Sequence, residues 1–262
     1  MDIVIPLGYR DLSIIQDTIH LCSLYVSDCR RIYVVASTQT LSELSELKTP
    51  ANVVRINEKI LNIDIESILG YQAERTGYIR QMLLKLLAFQ YIPTLSEPYL
   101  VIDADMHFQR PISFSESWMP YTESHSHHWN HFWDHCLRCH PSLEPIVKNG
   151  HNITGIHHHM VFHAQFLKQM IELIESYHEL SFEKVFLRSI DPFHYYDYVA
   201  SEYELYFIYM NRYHSSHIQF IPLYYTKTLD PLIPETYVFY WIVKHWYLRH
   251  FHPSFFSVYL SV

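Results

Sequence analysis

Short runs of nearly continuous apolar residues alternate along the chain with stretches whose apolar positions recur every three or four residues, a pattern that predicts an α/β fold. Asp2 to Pro6 reads as a first buried strand, Arg31 to Ser37 as a second around Ile32-Tyr33-Val34-Val35, and Val53-Val54-Arg55-Ile56 as a third. Leu12, Ile15, Ile19 and Cys22 fall at helical spacing after the loop Leu7-Gly8-Tyr9-Arg10, which places Cys22 on a packed stripe. The polar Ser/Thr/Glu stretch after the second strand reads as a connection. Gly77 to Tyr91 is the clearest helix, with Ile79, Met82, Leu83, Leu86 and Leu87 on one face and Tyr78, Gln81 and Lys85 forming a second stripe. This order predicts a mostly parallel central sheet flanked by helices, with right-handed crossovers and with ligands beyond the carboxyl ends of the strands.

The second half is less regular. From Pro111 to Gly150 the periodicity breaks, and the segment reads as an insertion over the cleft with a short helix around His128 to Leu137. A small strand is expected over Ile153 to Phe162, then a helix marked by Leu167, Met170, Ile171 and Ile174. A Tyr-rich stretch from Phe193 to Tyr198 precedes a helix capped by Ser201, a late strand covers Ile218 to Leu223, and Tyr237 to Arg249 runs from strand-like into amphipathic.

The densest candidate chemistry lies at Pro98-Tyr99-Leu100-Val101-Ile102-Asp103-Ala104-Asp105-Met106-His107-Phe108. A β-branched apolar run ends there in two carboxylates one residue apart, as a buried strand does when it delivers charge to a cleft. Two acids so close stay ionised in an apolar site only if something positive compensates them. Mg²⁺ or a similar hard cation does so, since it takes one or two carboxylates together with substrate phosphates. Glu202 and Glu204 are candidates for a general base, and equally for charges answering a helix N-terminus. In His157-His158-His159, strand alternation puts His157 and His159 on one side and His158 on the other, and imidazoles beside a cleft serve phosphates or a metal.

Composition narrows the classes. The chain has 262 residues, 49% of them hydrophobic and 18% charged, which is a globular balance. A net charge of −8 argues against nucleic acid as a partner. The N-terminus lacks the basic and apolar regions of a signal peptide, so the expected compartment is the reducing cytoplasm, where four cysteines need not pair. Cys136-x-x-Cys139-His140 matches a haem c attachment pattern, but that chemistry belongs to exported proteins and no axial partner is identifiable. His131, His135, Cys136 and Cys139 have spacings open to structural zinc, although one short segment would supply every ligand.

The order of motifs resembles GT-A-type nucleotide-sugar glycosyltransferases and looks closest to a poorly characterised bacterial group of them. The likeness is carried by the N-terminal Ile3-Val4-Ile5-Pro6 strand, the helix with Gly77-Tyr78, Gln81 and Lys85-Leu86, and the strand into Asp103-Ala104-Asp105. It continues through Gly155-Ile156-His157-His158-His159-Met160-Val161-Phe162, Ser201-Glu202-Tyr203-Glu204 and Val243-Lys244-His245-Trp246-Tyr247. The resemblance implies one GT-A-like domain over residues 1–262, with a nucleotide-binding half at 1–110 and an acceptor- and metal-completing half at 111–262. It implies that Asp103 and Asp105 hold Mn²⁺ or Mg²⁺ against a donor diphosphate, that His245 completes the site, and that the Pro6 to Gly8 loop meets the nucleotide. Tyr78, Gln81, Lys85, His157 and His159 are then expected to contact the donor, and Glu202 or Glu204 to serve an inverting reaction as base. The expected partners are a nucleotide-sugar donor and a carbohydrate or lipid-linked acceptor, with peripheral membrane contact through the aromatic C-terminus. The alternatives are a nucleotidyltransferase, which lacks a Gly-rich phosphate loop here, and a zinc-stabilised His-rich interaction protein.

Overall fold

The structure is a computed structural model and describes residues 1–69, 76–108, 111–114, 117–123, 130–191, 200–222 and 240–242. Its central sheet is built from β1 (Asp2–Leu7), β2 (Ile32–Ala36), β3 (Val53–Asn57), β4 (Tyr99–Ile102) and β9 (His159–Phe162), in the order β3-β2-β1-β4-β9. The first four strands are mutually parallel, and β9 joins β4 antiparallel with Ile102 opposite His159. This is the mixed α/β, mostly parallel architecture that the hydrophobic pattern predicts.

Alternation along the strands divides the core into two layers. Ile3, Ile5, Ile32, Val34, Leu100 and Ile102 face one side and pack with Ile15, Ile19 and Cys22 of α1 (Ile15–Tyr25). Val4, Tyr33, Val35, Tyr99 and Val101 face the other, against α4 (Thr76–Leu86), α7 (Ala164–His178), α8 (Phe182–Arg188) and α9 (Glu202–His214). A sheet covered on both faces needs strands without a polar side, which is why β1, β2 and β4 are buried from end to end.

Four sequence expectations change. The polar stretch after β2 is helical, α2 (Thr38–Ser45): the Ser37 side chain accepts from the Thr40 amide at 3.2 Å, and Leu44 anchors an otherwise polar helix. The helix expected over Gly77 to Tyr91 is divided into α4 and the short α5 (Ala88–Tyr91). The described residues of segment 111–150 are integral to the fold and not an insertion over it. They supply α6 (Asn130–Cys139), where the short helix is expected, and β6 (Trp118–Glu123) and β7 (Ile146–Lys148), which with β8 (His151–Thr154) and β10 (Gln219–Pro222) form a second sheet in the order β10-β6-β8-β7. Phe132, Trp133, Cys136 and Cys139 of α6 are buried. Finally, the strand expected over Ile153 to Phe162 is two strands, β8 and β9, separated by residues 155–158.

That break is tied to a close approach. A methyl group added at Gly155 would lie 2.3 Å from the Phe207 side chain of α9, far inside contact distance. Gly155→Ala is therefore expected to destabilise the protein by roughly 1–3 kcal/mol or more, the range for forcing extra carbon into a packed core. Urea denaturation of the variant beside wild type checks this. Among the described residues no helix is long and apolar enough to cross a membrane.

Candidate metal and donor site

The order β3-β2-β1-β4 reverses direction of travel at β1, so the crevice beyond the carboxyl ends of β1 and β4 is a topological switch point, where open α/β sheets place ligands. Two loops meet there. Exposed Gly8, Tyr9 and Arg10 follow β1, with Pro6 buried behind them and Asp11 closing a 3₁₀ turn through its amide to the Gly8 carbonyl at 3.1 Å. The Asp103 to Asp105 turn follows β4 and leads to β5 (Met106–Phe108). The buried Thr18 hydroxyl of α1 donates to the Ala104 carbonyl at 2.7 Å and so pins the turn between its two carboxylates.

Asp103 is held by side chains from three other places in the sequence. Lys85 of α4 donates to its Oδ1, Tyr203 of α9 donates to the same oxygen at 3.1 Å, and His158 Nδ1 lies 2.8 Å from Oδ2. The Asp103 amide also donates to the His158 carbonyl at 2.9 Å, extending the antiparallel pairing of β4 and β9. Burial would raise the Asp103 carboxyl, but the Lys85 charge and the His158 hydrogen bond outweigh it and hold the group well below the usual carboxylate range. Asp105 goes the other way: burial, and then the neighbouring Asp103 charge, push it up to about 6.

Asp103, Asp105 and His158 offer ligand atoms that all lie within 4.8 Å of one another, and among the described residues no other group of three His, Cys, Asp or Glu side chains does so. Two carboxylates and an imidazole, each part-exposed, suit a small divalent cation that keeps open positions for substrate oxygens. The middle histidine of the triplet is thus the one at the carboxylates. His157 and His159 are buried, at 1% and 3% exposure, and burial lowers the pKa of both, His159 to about 3. His159 stacks edge-on against Phe114 and Phe108.

Lys85 is only 2% exposed and pairs with Glu202 of α9 at 2.5 Å as well as with Asp103. Burial by itself would lower its pKa, but Asp103 and Glu202 reverse that and raise it well above the ordinary lysine value. Tyr78 and Gln81 lie half-buried two turns and one turn before it on α4, and the Tyr78 hydroxyl donates to the Ala200 carbonyl at 3.2 Å. Glu204 sits at 0% exposure and accepts from Trp133 Nε1 at 2.7 Å, the Thr154 hydroxyl at 2.7 Å and the Gly155 amide at 2.8 Å. Burial pushes its carboxyl up to about 7, and the three donors limit the rise. Neither glutamate presents a free carboxylate to the crevice, so the expectation of a general base at Glu202 or Glu204 is not carried forward. Glu204 joins α9 to α6 and β8, and Glu202 holds Lys85.

The zinc reading of the His/Cys segment also falls. His135 Nε2 is 3.0 Å from the Phe186 carbonyl, and burial lowers its pKa to about 4. Burial raises the Cys136 and Cys139 thiols, Cys139 to about 12, leaving both as inert core groups. His245 and the Tyr-rich 193–198 stretch lie outside the described residues. β11 (Tyr240–Ile242) runs antiparallel to β5 and sets Ile242 opposite Met106, the residue after Asp105.

No curated protein matches the chain in sequence. Among solved structures it is similar to mouse xyloside xylosyltransferase 1 in its apo form, with a TM-score of 0.49 and 10% identity over 94% of this chain and 98% of that one. The profile of a family of unknown function, DUF6492, matches residues 2–253, and the chain belongs to that family.

Proposed function

We propose that the protein is a divalent-metal-dependent glycosyltransferase that moves a sugar from a nucleotide-sugar donor to a hydroxyl of a carbohydrate or lipid-linked acceptor. The observation that carries this reading is the clustering of Asp103, Asp105 and His158 at the switch-point end of β4, beside the loop that follows β1. The motif order that resembles GT-A-type enzymes supports it. Asp103, Asp105 and His158 hold Mn²⁺ or Mg²⁺ in this reading, with His245 as a further ligand, and the Pro6 to Gly8 loop lies against the nucleotide. Tyr78 and Gln81 shape the donor side of the crevice, whereas His157 and His159 are buried and do not meet the donor. The cation's contribution is electrostatic, since it offsets negative charge on a departing diphosphate. In the reaction the acceptor oxygen forms a bond to the anomeric carbon, the bond from that carbon to the diphosphate oxygen breaks, and the acceptor proton is released as the nucleoside diphosphate departs. Residues 1–262 act as one domain in this reading, at a cytoplasmic location with peripheral membrane contact through the aromatic C-terminus.

A thermal-shift screen of nucleotide sugars with and without Mn²⁺ tests the reading, because a ligand that binds the native state raises the melting temperature by mass action. At least one nucleotide sugar is expected to stabilise the protein only when Mn²⁺ is present. No metal-dependent shift across the panel contradicts the reading.

The pH dependence of metal binding follows from Asp105. Its folded-state pKa is raised to about 6, so the protonated carboxyl is favoured below that value and stability is lost from this group as pH rises through it. A bound cation requires the ionised form and reverses that loss. Mn²⁺ affinity is therefore expected to fall by at least about tenfold per pH unit below about 6, one proton being displaced from Asp105 and the ligating imidazoles having to be neutral as well. Titration calorimetry at pH 5, 6 and 7.5 measures it, and Asp105→Asn is expected to remove the Asp105 share of the slope along with most of the affinity.

A further inference from the structure

Lys85 is an ammonium group buried between two carboxylates, and one of them is in the candidate metal site. Its Nζ donates to Asp103 Oδ1 and, at 2.5 Å, to Glu202 Oε1, and it lies 4.5 Å from the centre of the Tyr203 ring. The side chains of Lys85 and Glu202 are 2% and 5% exposed, so neither has water to fall back on, whereas Asp103 is 23% exposed and reaches the crevice. Two constraints follow. A cation held by Asp103 draws on a carboxylate that Lys85 already uses, and it brings positive charge towards a buried ammonium. A buried charge left without its partner is strongly unfavourable. Lys85 needs a second acceptor that the metal does not touch, and Glu202 is placed as one.

We propose that Glu202 is a positioning residue that retains the Lys85 ammonium when Asp103 turns to a divalent cation, so that metal binding does not strand a buried positive charge. This rests on the metal-site reading above and adds to it a role for the α4–α9 contact. Tyr203 and His158 hold Asp103 in place before the cation arrives. Residues supporting metal ligands from behind in this way change metal affinity without touching the ion.

The test is Mn²⁺ binding to the full chain with no donor present, followed by electron paramagnetic resonance or calorimetry, beside the metal-free melting temperature. Glu202→Gln is expected to weaken Mn²⁺ binding by roughly 10–100-fold, the usual size of such supporting effects. In the Lys85→Met/Glu202→Gln double variant no ammonium is left to strand, and the affinity is expected to return towards wild type. A role for Glu202 in packing alone lowers the melting temperature and leaves affinity per folded molecule unchanged. A general-base role leaves Mn²⁺ affinity unchanged as well. Unchanged affinity in Glu202→Gln, or a double variant as weak as the single one, overturns the proposal. Should Glu202→Gln not fold, Glu202→Asp decides in the same way: a carboxylate one methylene further from Lys85 is expected to weaken Mn²⁺ by at least about threefold, and wild-type affinity overturns the proposal. A wild-type protein that binds no Mn²⁺ contradicts the metal-site reading itself, so failure of that reading is distinct from failure at Glu202.

Discussion

Replacing Asp105 by Asn is expected to abolish Mn²⁺-dependent donor binding and turnover while leaving the melting temperature of the metal-free protein equal to or above that of wild type. The asymmetry between the two aspartates is the reason. Asp105 is ionised at a cost, since burial and the Asp103 charge push its pKa up to about 6, so removing its charge relieves the apo fold. Asp103 is tied by Lys85, Tyr203 and His158. Asp103→Asn is expected to abolish metal-dependent binding too, but with a lower melting temperature, because it removes a charge that answers buried Lys85. Donor binding that survives both substitutions in EDTA would remove these aspartates from the site. A drop in apo stability for Asp105→Asn as large as that for Asp103→Asn would contradict the division of roles.

Glu204→Ala is expected to be among the most damaging single changes for stability. It leaves Trp133 Nε1, the Thr154 hydroxyl and the Gly155 amide without their acceptor in a region closed to water. At about 1 kcal/mol or more for each buried donor left unpaired, the loss is at least about 3 kcal/mol. Glu204→Gln keeps one acceptor oxygen and is expected to lose less. The sign of the pH dependence is opposite to that of a stabilised carboxylate. The folded-state pKa of about 7 lies above the ordinary glutamate value, so protonation of Glu204 favours the fold at acid pH and that contribution is lost as pH rises through about 7. Urea denaturation between pH 5 and 9 is expected to show this decline in wild type and a flatter profile in Glu204→Gln. Wild-type stability in Glu204→Ala, with turnover alone reduced, would return Glu204 to the role of base.

The central sheet was readable because strands covered on both faces carry no polar side, and β1, β2 and β4 are short, β-branched runs that are apolar throughout apart from Asp2 at the start. Helix α7 was readable for the complementary reason, a full-length stripe from Leu167 to Ile174. Helix α2 was not, because only Thr40 and Leu44 are buried in it, and its sole local signal was the Ser37 cap. The Asp103 turn could be seen in sequence, but its third member could not be chosen. Strand alternation separates His158 from His157 and His159, as the structure does, but does not say which side meets the carboxylates. What selects His158 is the pairing of Ile102 with His159, which sets the preceding residue beside Asp103. That register was not in any local pattern. Lys85 was visible as a cation on a helix stripe, yet its burial depends on Glu202, 117 residues further on.

The most direct measurement of the central claim is release of nucleoside diphosphate from a nucleotide sugar by the purified full chain, with Mn²⁺, with EDTA, and with Asp105→Asn in Mn²⁺. The account predicts release with at least one donor in Mn²⁺, loss of release in EDTA with recovery on adding Mn²⁺ back, and none from Asp105→Asn. Release that continues in EDTA, or that Asp105→Asn retains at the wild-type rate, would contradict it.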